Sequence, residues 1–130
     1  MKYIIGLLKE LKIEDKLPTV FAHSPYTNLK AHQFFEKEGI SAKVVKTGVK
    51  NANPVIIEYP IGANDEPNGH GTVAYKEDVI MDILKEKNLE NTIAAKKLMA
   101  ILRISNKVVG DAIANLFVIE AILYDLDMSI

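Results

Sequence analysis

Between Thr19 and Gly48 the chain switches period twice, and nothing else in it narrows the fold as much. TVFAHS (19–24) reads as a buried strand that Pro25 ends. LKAHQFFEKEG (29–39) reads as a helix that Thr27 or Asn28 can cap and Gly39 can stop. SAKVVKTG (41–48) reads as a second strand running into Gly48. Strand, helix and strand in this short compass form a βαβ unit, in which the two strands run parallel.

The flanks extend this reading. MKYIIGLLKELKIEDK places Ile4, Leu7, Leu8 and Leu11 on one stripe of an amphipathic helix. Lys9 and Glu10 interrupt its apolar stretch and no small-residue cleavage site follows, so it does not read as a signal peptide. Residues 51–61 (NANPVIIEYPI) support two readings: VIIEY suits a strand, while Asn53 before Pro54 suits a helix start. Gly62–Asp65 and Gly71–Tyr75 read as the two strands of a hairpin around EPNGH, and helices are predicted near 77–86, 90–103 and 107–125.

The last of these is apolar on most of its circumference: in VVGDAIANLFVIEAILYDL only Gly110, Asp111, Asn115, Glu120 and Asp125 fall outside the apolar and aromatic set. Such a helix demands cover on more than one side. Two readings satisfy that demand, a central helix within this chain or a helix with one face made for another domain or subunit. Asp125 and Asp127 form an acidic pair at its end, read as a solvated terminus rather than a metal site.

At 130 residues the chain has the size of one domain. Its net charge of −1 argues against nucleic-acid and anionic-membrane partners. Among 16 basic residues only Arg103 is arginine, so bidentate guanidinium clamps are almost unavailable. The lack of cysteine excludes disulfides, thiolate metal sites and cysteine nucleophiles. With no stretch approaching the roughly 20 apolar residues of a membrane span, a cytoplasmic protein is the expectation.

No Gly-x-Ser-x-Gly elbow, phosphate-binding P-loop or Gly-x-Gly-x-x-Gly fingerprint is present. His23, His32 and His70 lack metal-ligand spacing, and no metal site is expected in this chain. His32, within the first βαβ helix, reads as a surface or packing residue; His23, at a strand end, is better placed for function.

The remaining candidate is EPNGHGTVAY (66–75). A carboxylate, a carboxamide and an imidazole recur at every second position, which points Glu66, Asn68 and His70 to one side if the backbone is extended. Gly69 and Gly71 let the chain turn sharply beside His70. Pro67, Asn68 and Gly69 are equally the residues of an ordinary hairpin turn. Residue types alone leave both readings open.

Two strings together carry a resemblance: KTGVK (46–50), directly after the second strand, and IG....E.NGHGT from Ile61 to Thr72. With VGDAIANLFVIEAIL (109–123) they are similar to the third domain of the eukaryotic-type phosphoacetylglucosamine mutases, in the α-D-phosphohexomutase superfamily, over roughly residues 1–126. The resemblance implies an α/β fold: a mixed, mostly parallel sheet flanked by helices, with one antiparallel hairpin strand and a helical C-terminal part. It implies an enzyme that interconverts N-acetylglucosamine 6-phosphate and 1-phosphate by phosphoryl transfer through a phosphoserine and a bisphosphate intermediate. Glu66 and Asn68 then resemble the sugar-hydroxyl ligands, a carboxylate beside a carboxamide serving paired hydroxyls. His70 resembles a histidine near the reacting hydroxyl, where an imidazole can shuttle a proton. Lys46 resembles a lysine facing the same cleft, a point charge for phosphate. Thr47, Gly48 and Lys50 match as determinants of loop shape, together with Gly69 and Gly71.

Some positions depart from that pattern. Pro67 stands where alanine is expected, Asn64 and Asp65 replace bulky aromatic residues, and His23-Ser-Pro-Tyr-Thr-Asn differs from the family's loop after the first strand. The phosphoserine loop, the Mg²⁺ loop and the phosphate-binding loop of such an enzyme should lie on its other domains. The resemblance therefore implies a single-domain piece, inactive alone, whose Mg²⁺ comes through another domain. Its partners would be a hexose phosphate and the other domains, with self-association possible through the apolar last helix. A free-standing, non-catalytic domain that binds amino-sugar phosphates is the alternative. A phosphoglucomutase or phosphomannomutase relative is a further one, against which Asn68 counts, since serine would be expected there.

Overall fold

The computed structural model describes residues 1–128. Four strands, β1 (Thr19–His23), β2 (Ser41–Val44), β3 (Ile61–Asp65) and β4 (Gly71–Tyr75), form one sheet in the order β2-β1-β3-β4. β1 pairs in parallel with β2 and with β3, while β3 and β4 pair antiparallel as a hairpin. The helix between β1 and β2, α2 (Leu29–Lys37), is the crossover that parallel pairing requires. Asn28 caps it, accepting the Lys30 amide at 2.9 Å, and Gly39 ends it at φ +82°.

Every residue of β1 is buried, and their alternation divides the interior in two. Phe21 joins Ile61 and Ala63 in the larger cluster, with residues of α1 (Lys2–Glu10), α4 (Glu77–Glu86) and α5 (Ile93–Ile104). Leu8, Leu84, Leu98 and Leu102 are completely buried there, each removal from water contributing about 2 kcal/mol. Val20 and Ala22 face the opposite side and meet Ala52 and Ile56 of α3 (Val49–Ile56). The sheet thus lies between helices on both faces, an α/β architecture with two parallel pairings and one antiparallel.

Of residues 51–61, left open between strand and helix, 51–56 fall in helix α3, with Pro54 inside it rather than at its start. Gly48, at φ +110°, turns the chain into the helix five residues earlier than the Asn53–Pro54 signal suggests. The packing of Ala52 and Ile56 on the sheet decides the matter against the strand propensity of the Val-Ile-Ile run. The second strand is also shorter than its apolar pattern, ending at Val44 instead of continuing to Gly48.

The last helix, α6 (Ala112–Asp125), begins five residues later than its composition indicates. Asn106 Oδ1 accepts the amides of Val108 and Val109, both at 3.0 Å, holding residues 106–109 in a turn. Asp111 then caps the helix, its carboxylate 2.9 Å from the Ile113 amide. The central-helix reading is overturned: α6 buries no residue, and Phe117 is 68 % exposed. Val118 and Ile122 pack against the main cluster, and Asp125 ties down the far end. Far from being simply solvated, the Asp125 carboxylate accepts from Tyr3 Oη and Lys97 Nζ, each at 2.8 Å.

Candidate functional site

In a parallel sheet the loops that follow the strands' carboxyl ends are where a ligand finds unpaired backbone and side chains from several elements. Here the ends of β1, β2 and β3 bring together Ser24, Lys46–Gly48 and Asp65–Glu66. The two strings singled out in the sequence meet at this point. Glu66 Oε1 accepts the backbone N–H of Gly48 at 2.7 Å, so the loop after β2 orients the carboxylate of the hairpin. The charge on the acceptor makes this one of the stronger classes of hydrogen bond.

Residues 66–70 form a tight turn, not an extended ribbon. Gly69 N–H donates to Glu66 O at 2.9 Å, Glu66 N–H donates to His70 O at 2.8 Å, and Gly69 sits at φ +85°. Strand-like alternation is therefore not what assembles Glu66, Asn68 and His70. The turn does so through the Asn68 carboxamide, whose Oδ1 accepts the His70 amide at 3.0 Å while its Nδ2 donates to Glu66 Oε2 at 3.2 Å. The hairpin reading holds: this is a turn whose polar groups fix one another, with Asn68 and His70 exposed.

Beneath the loop, Asn64 and Thr72 pair across β3 and β4. Asn64 Oδ1 accepts both the amide and the hydroxyl of Thr72, and both residues are buried. These polar residues close the base of the hairpin, with both donors of Thr72 satisfied by the Asn64 carboxamide oxygen. Asp65, beside the loop, has its carboxyl pushed above the usual carboxylate range, chiefly by desolvation and also by the neighbouring Glu66 charge.

Lys46 is exposed and lines a cavity of about 10 Å³ together with His23, Ser24, Gly48, Asn64 and Glu66. That is room for one water-sized group. Lys46, Gly48 and Glu66 thus converge, while His70 is exposed and does not line this cavity. Thr47 holds loop shape through its carbonyl, which accepts from Asn51 Nδ2 at 2.7 Å. Gly71 cannot carry a side chain, since a β-carbon would fall 2.4 Å from Asn64 O. Lys50 lies exposed on the first turn of α3.

His23 and His32 form a pair, in keeping with the packing reading of His32. His23 Nδ1 lies 3.0 Å from Ser24 O, so that nitrogen carries the hydrogen and donates. Its Nε2 then accepts from His32 Nδ1 at 2.7 Å, and His32 Nε2 faces Glu36 Oε1 at 3.3 Å. The pair pins α2 to the end of β1, so His32 is a structural partner of His23.

The segment leading into α6 contributes contacts that residue types did not announce. Asn115 Nδ2 donates to Gly69 O at 2.9 Å and to Gly71 O at 3.4 Å. A β-carbon on Gly110 would approach His70 Cβ to 3.3 Å. The Gly110–Asp111 pair before an apolar run is a legible helix start; that its first turn rests on the hairpin is not.

Among the described residues no cluster of three or more His, Cys, Asp or Glu is arranged to hold a metal ion, and no helix is long and apolar enough to cross a membrane.

Comparison with known proteins gives a consistent picture. The family model described as phosphoacetylglucosamine mutase AMG1, domain III, matches residues 1–128. The human phosphoacetylglucosamine mutase is 36% identical over 129 residues, covering 92% of this chain and 23% of its own length. The Arabidopsis thaliana enzyme is 32% identical over 114 residues, covering 81% and 20%. Among solved structures, Aspergillus fumigatus N-acetylphosphoglucosamine mutase superposes with a TM-score of 0.82 at 28% identity, over 98% of this chain and 24% of that one. The same enzyme in complex with GlcNAc-6P and magnesium gives 0.81 at 27% identity, over 97% and 24%. The chain thus spans between a fifth and a quarter of the length of the relatives it matches.

Proposed function

This chain belongs to the phosphoacetylglucosamine mutase family, within the α-D-phosphohexomutase superfamily, and from that premise we propose that it is the sugar-phosphate recognition domain of such an enzyme, its third of four. The enzyme would interconvert N-acetylglucosamine 6-phosphate and 1-phosphate through a phosphoserine and a bisphosphate intermediate. The observation that carries this reading is the Glu66 carboxylate, held by the Gly48 N–H and the Asn68 amide at the carboxyl ends of the strands.

Glu66 and Asn68 would bind adjacent sugar hydroxyls. Each Glu66 oxygen keeps lone-pair capacity beyond its one bond within the chain, and a carboxylate already oriented loses little freedom on binding. Lys46, exposed beside the same cavity, would meet the phosphate as a mobile point charge. His70, exposed at the end of the turn, would exchange a proton with the hydroxyl that gives or takes the phosphoryl group.

Phosphoryl transfer rests on positioning and charge stabilisation by several groups at once. A chain with this loop but a quarter of the relatives' length would recognise the substrate and leave the chemistry to the rest of the enzyme. No three carboxylate or imidazole groups gather among the described residues to hold a metal ion, and the magnesium named with the Aspergillus fumigatus enzyme would be bound by other parts of the enzyme. The exposed apolar side of α6 would receive the neighbouring domains.

The test is an NMR titration of this chain with N-acetylglucosamine 1-phosphate, with glucose 1-phosphate for comparison. The reading expects shifts centred on Glu66, Asn68, His70 and Lys46, lost in Glu66→Ala. Mutase turnover by this chain alone would overturn the assignment of the chemistry to other domains. Absence of sugar-dependent shifts both here and in the enzyme carrying all its domains would overturn the site.

A further inference from the structure

A hairpin turn is held at its base by the sheet, but its tip is anchored only by what reaches it from elsewhere. In this chain the reach comes from α6. Asn115 lies one turn into that helix, its amide donating to Asp111 O at 3.0 Å, and Asp111 in turn caps the helix through Ile113. The position of the Asn115 side chain is therefore set by a capped helical turn. Its single NH₂ group donates to Gly69 O at 2.9 Å and to Gly71 O at 3.4 Å, the carbonyls on either side of His70.

We propose that Asn115 is a positioning residue that sets the backbone of His70, and through it the proposed sugar-binding loop, from a helix that itself contributes no ligand to the sugar; the proposal rests on the sugar-binding reading of that loop. A carboxamide suits the task because two hydrogens on one nitrogen can serve two carbonyls without charge. An aspartate there would oppose its oxygens to the two carbonyls, and an alanine would leave both without that donor. Two further contacts come from the same segment: Gly110 passes close enough that a β-carbon would lie 3.3 Å from His70 Cβ and 3.5 Å from Gly71 N, and Ala112 Cβ lies 3.4 Å from the β-carbon position of Gly69. Residues 110–115 thus form a seat for residues 69–71, with Asn115 as its hydrogen-bonding element.

The isosteric Asn115→Asp and the uncharged Asn115→Ala test this in the present chain, by amide exchange at Gly69, His70 and Gly71 and by titration with N-acetylglucosamine 1-phosphate. Both variants are expected to speed exchange at His70 and to weaken binding, each by about tenfold, the scale of one lost hydrogen bond of ordinary strength. In Asn115→Asp, lowering the pH protonates the introduced carboxyl, restores a donor and slows His70 exchange again relative to the unmodified chain under the same conditions; Asn115→Ala shows no such recovery. That pH profile separates positioning from a general loosening of the helix. Asp125→Asn, which releases the other end of α6, should leave the loop unchanged. Exchange at His70 within twofold of the unmodified chain in both Asn115 variants would overturn the proposal. If the unmodified chain and the multi-domain enzyme both ignored the sugar, the functional reading would fall, while the exchange data would still decide whether Asn115 holds the turn.

Discussion

A β-carbon on Gly62 would lie 2.3 Å from the carbonyl oxygen of Ile56 and 2.7 Å from its Cβ. Helix α3 therefore touches the sheet backbone directly, through a position where only glycine fits. Its first residue follows Gly48, the donor to Glu66, so the closeness of helix and strand also fixes where the loop carboxylate is held. Gly62→Ala must push α3 off the sheet, and the backbone atoms in its way cannot rotate aside. We expect a loss of about 3 kcal/mol of stability in urea denaturation, the upper range for overpacking. A loss near zero would mean that the helix and sheet are not in contact.

Gly48→Ala tests the same link from its other end. At φ +110° an alanine is strained, which costs about 1–2 kcal/mol even though its β-carbon would make only ordinary contacts, the nearest with Asn51 Nδ2 at 3.6 Å. Glu66→Ala should cost about 1.5 kcal/mol of stability and expose the Gly48 amide, with hydrogen exchange at Gly48 accelerating about tenfold. Unchanged exchange at Gly48 would show that its amide does not depend on Glu66.

The latch at the end of α6 has a defined pH dependence. The Asp125 carboxyl is held below the usual carboxylate range, first by the Lys97 hydrogen bond and then by that of Tyr3. Its contribution to stability is therefore present above the ordinary carboxylate pKa and is lost as pH falls through the lowered value. The Tyr3 phenol is pushed up to about 12, first by burial and then by its bond to Asp125. Its contribution is complete below its ordinary value of 10.0 and is lost as pH rises through about 12. Phenolate absorbance should show one of the five tyrosines ionising late. Asp125→Asn should return that step only part of the way, because burial remains. A full return, or none, would contradict this ordering of causes.

The exposed face of α6 predicts association. Phe117 is 68 % exposed, with Ile113 and Leu116 also exposed on the same helix. Sedimentation of the chain should show mass rising with concentration, and Phe117→Glu should lower it with little change in thermal stability, since the side chain contributes almost nothing to the core. Concentration-independent monomer in the unmodified chain would contradict this.

Much of this architecture was legible in the sequence because local signals and tertiary packing agree. The βαβ start, a cap at Thr27 or Asn28, the hairpin and the α4 span all follow from residue type and period. The failures have a common cause. Helix α3 depends on a left-handed glycine at its start and on Ala52 and Ile56 meeting the sheet, both invisible to propensity. The onset of α6 was masked because Lys107–Val109 are compatible with a helix, until Asn106 captures their amides in a turn. At the site, Glu66, Asn68 and Lys46 stand out by type and motif. The Gly48–Glu66 and Asn115–Gly69 bonds join residues far apart in sequence, and only the fold brings them together.

The sheet edges have a consequence for how copies of this chain can meet. β4 lies at one edge, and there the amide of Val73 is taken by Asn106 O at 2.9 Å. β2, at the other edge, has only four residues and carries Lys43. Neither offers a long, open row of peptide groups on which a second molecule could extend the sheet. Copies drawn together by their apolar helices therefore join through side chains alone, and such assemblies should come apart on dilution instead of growing into fibrils.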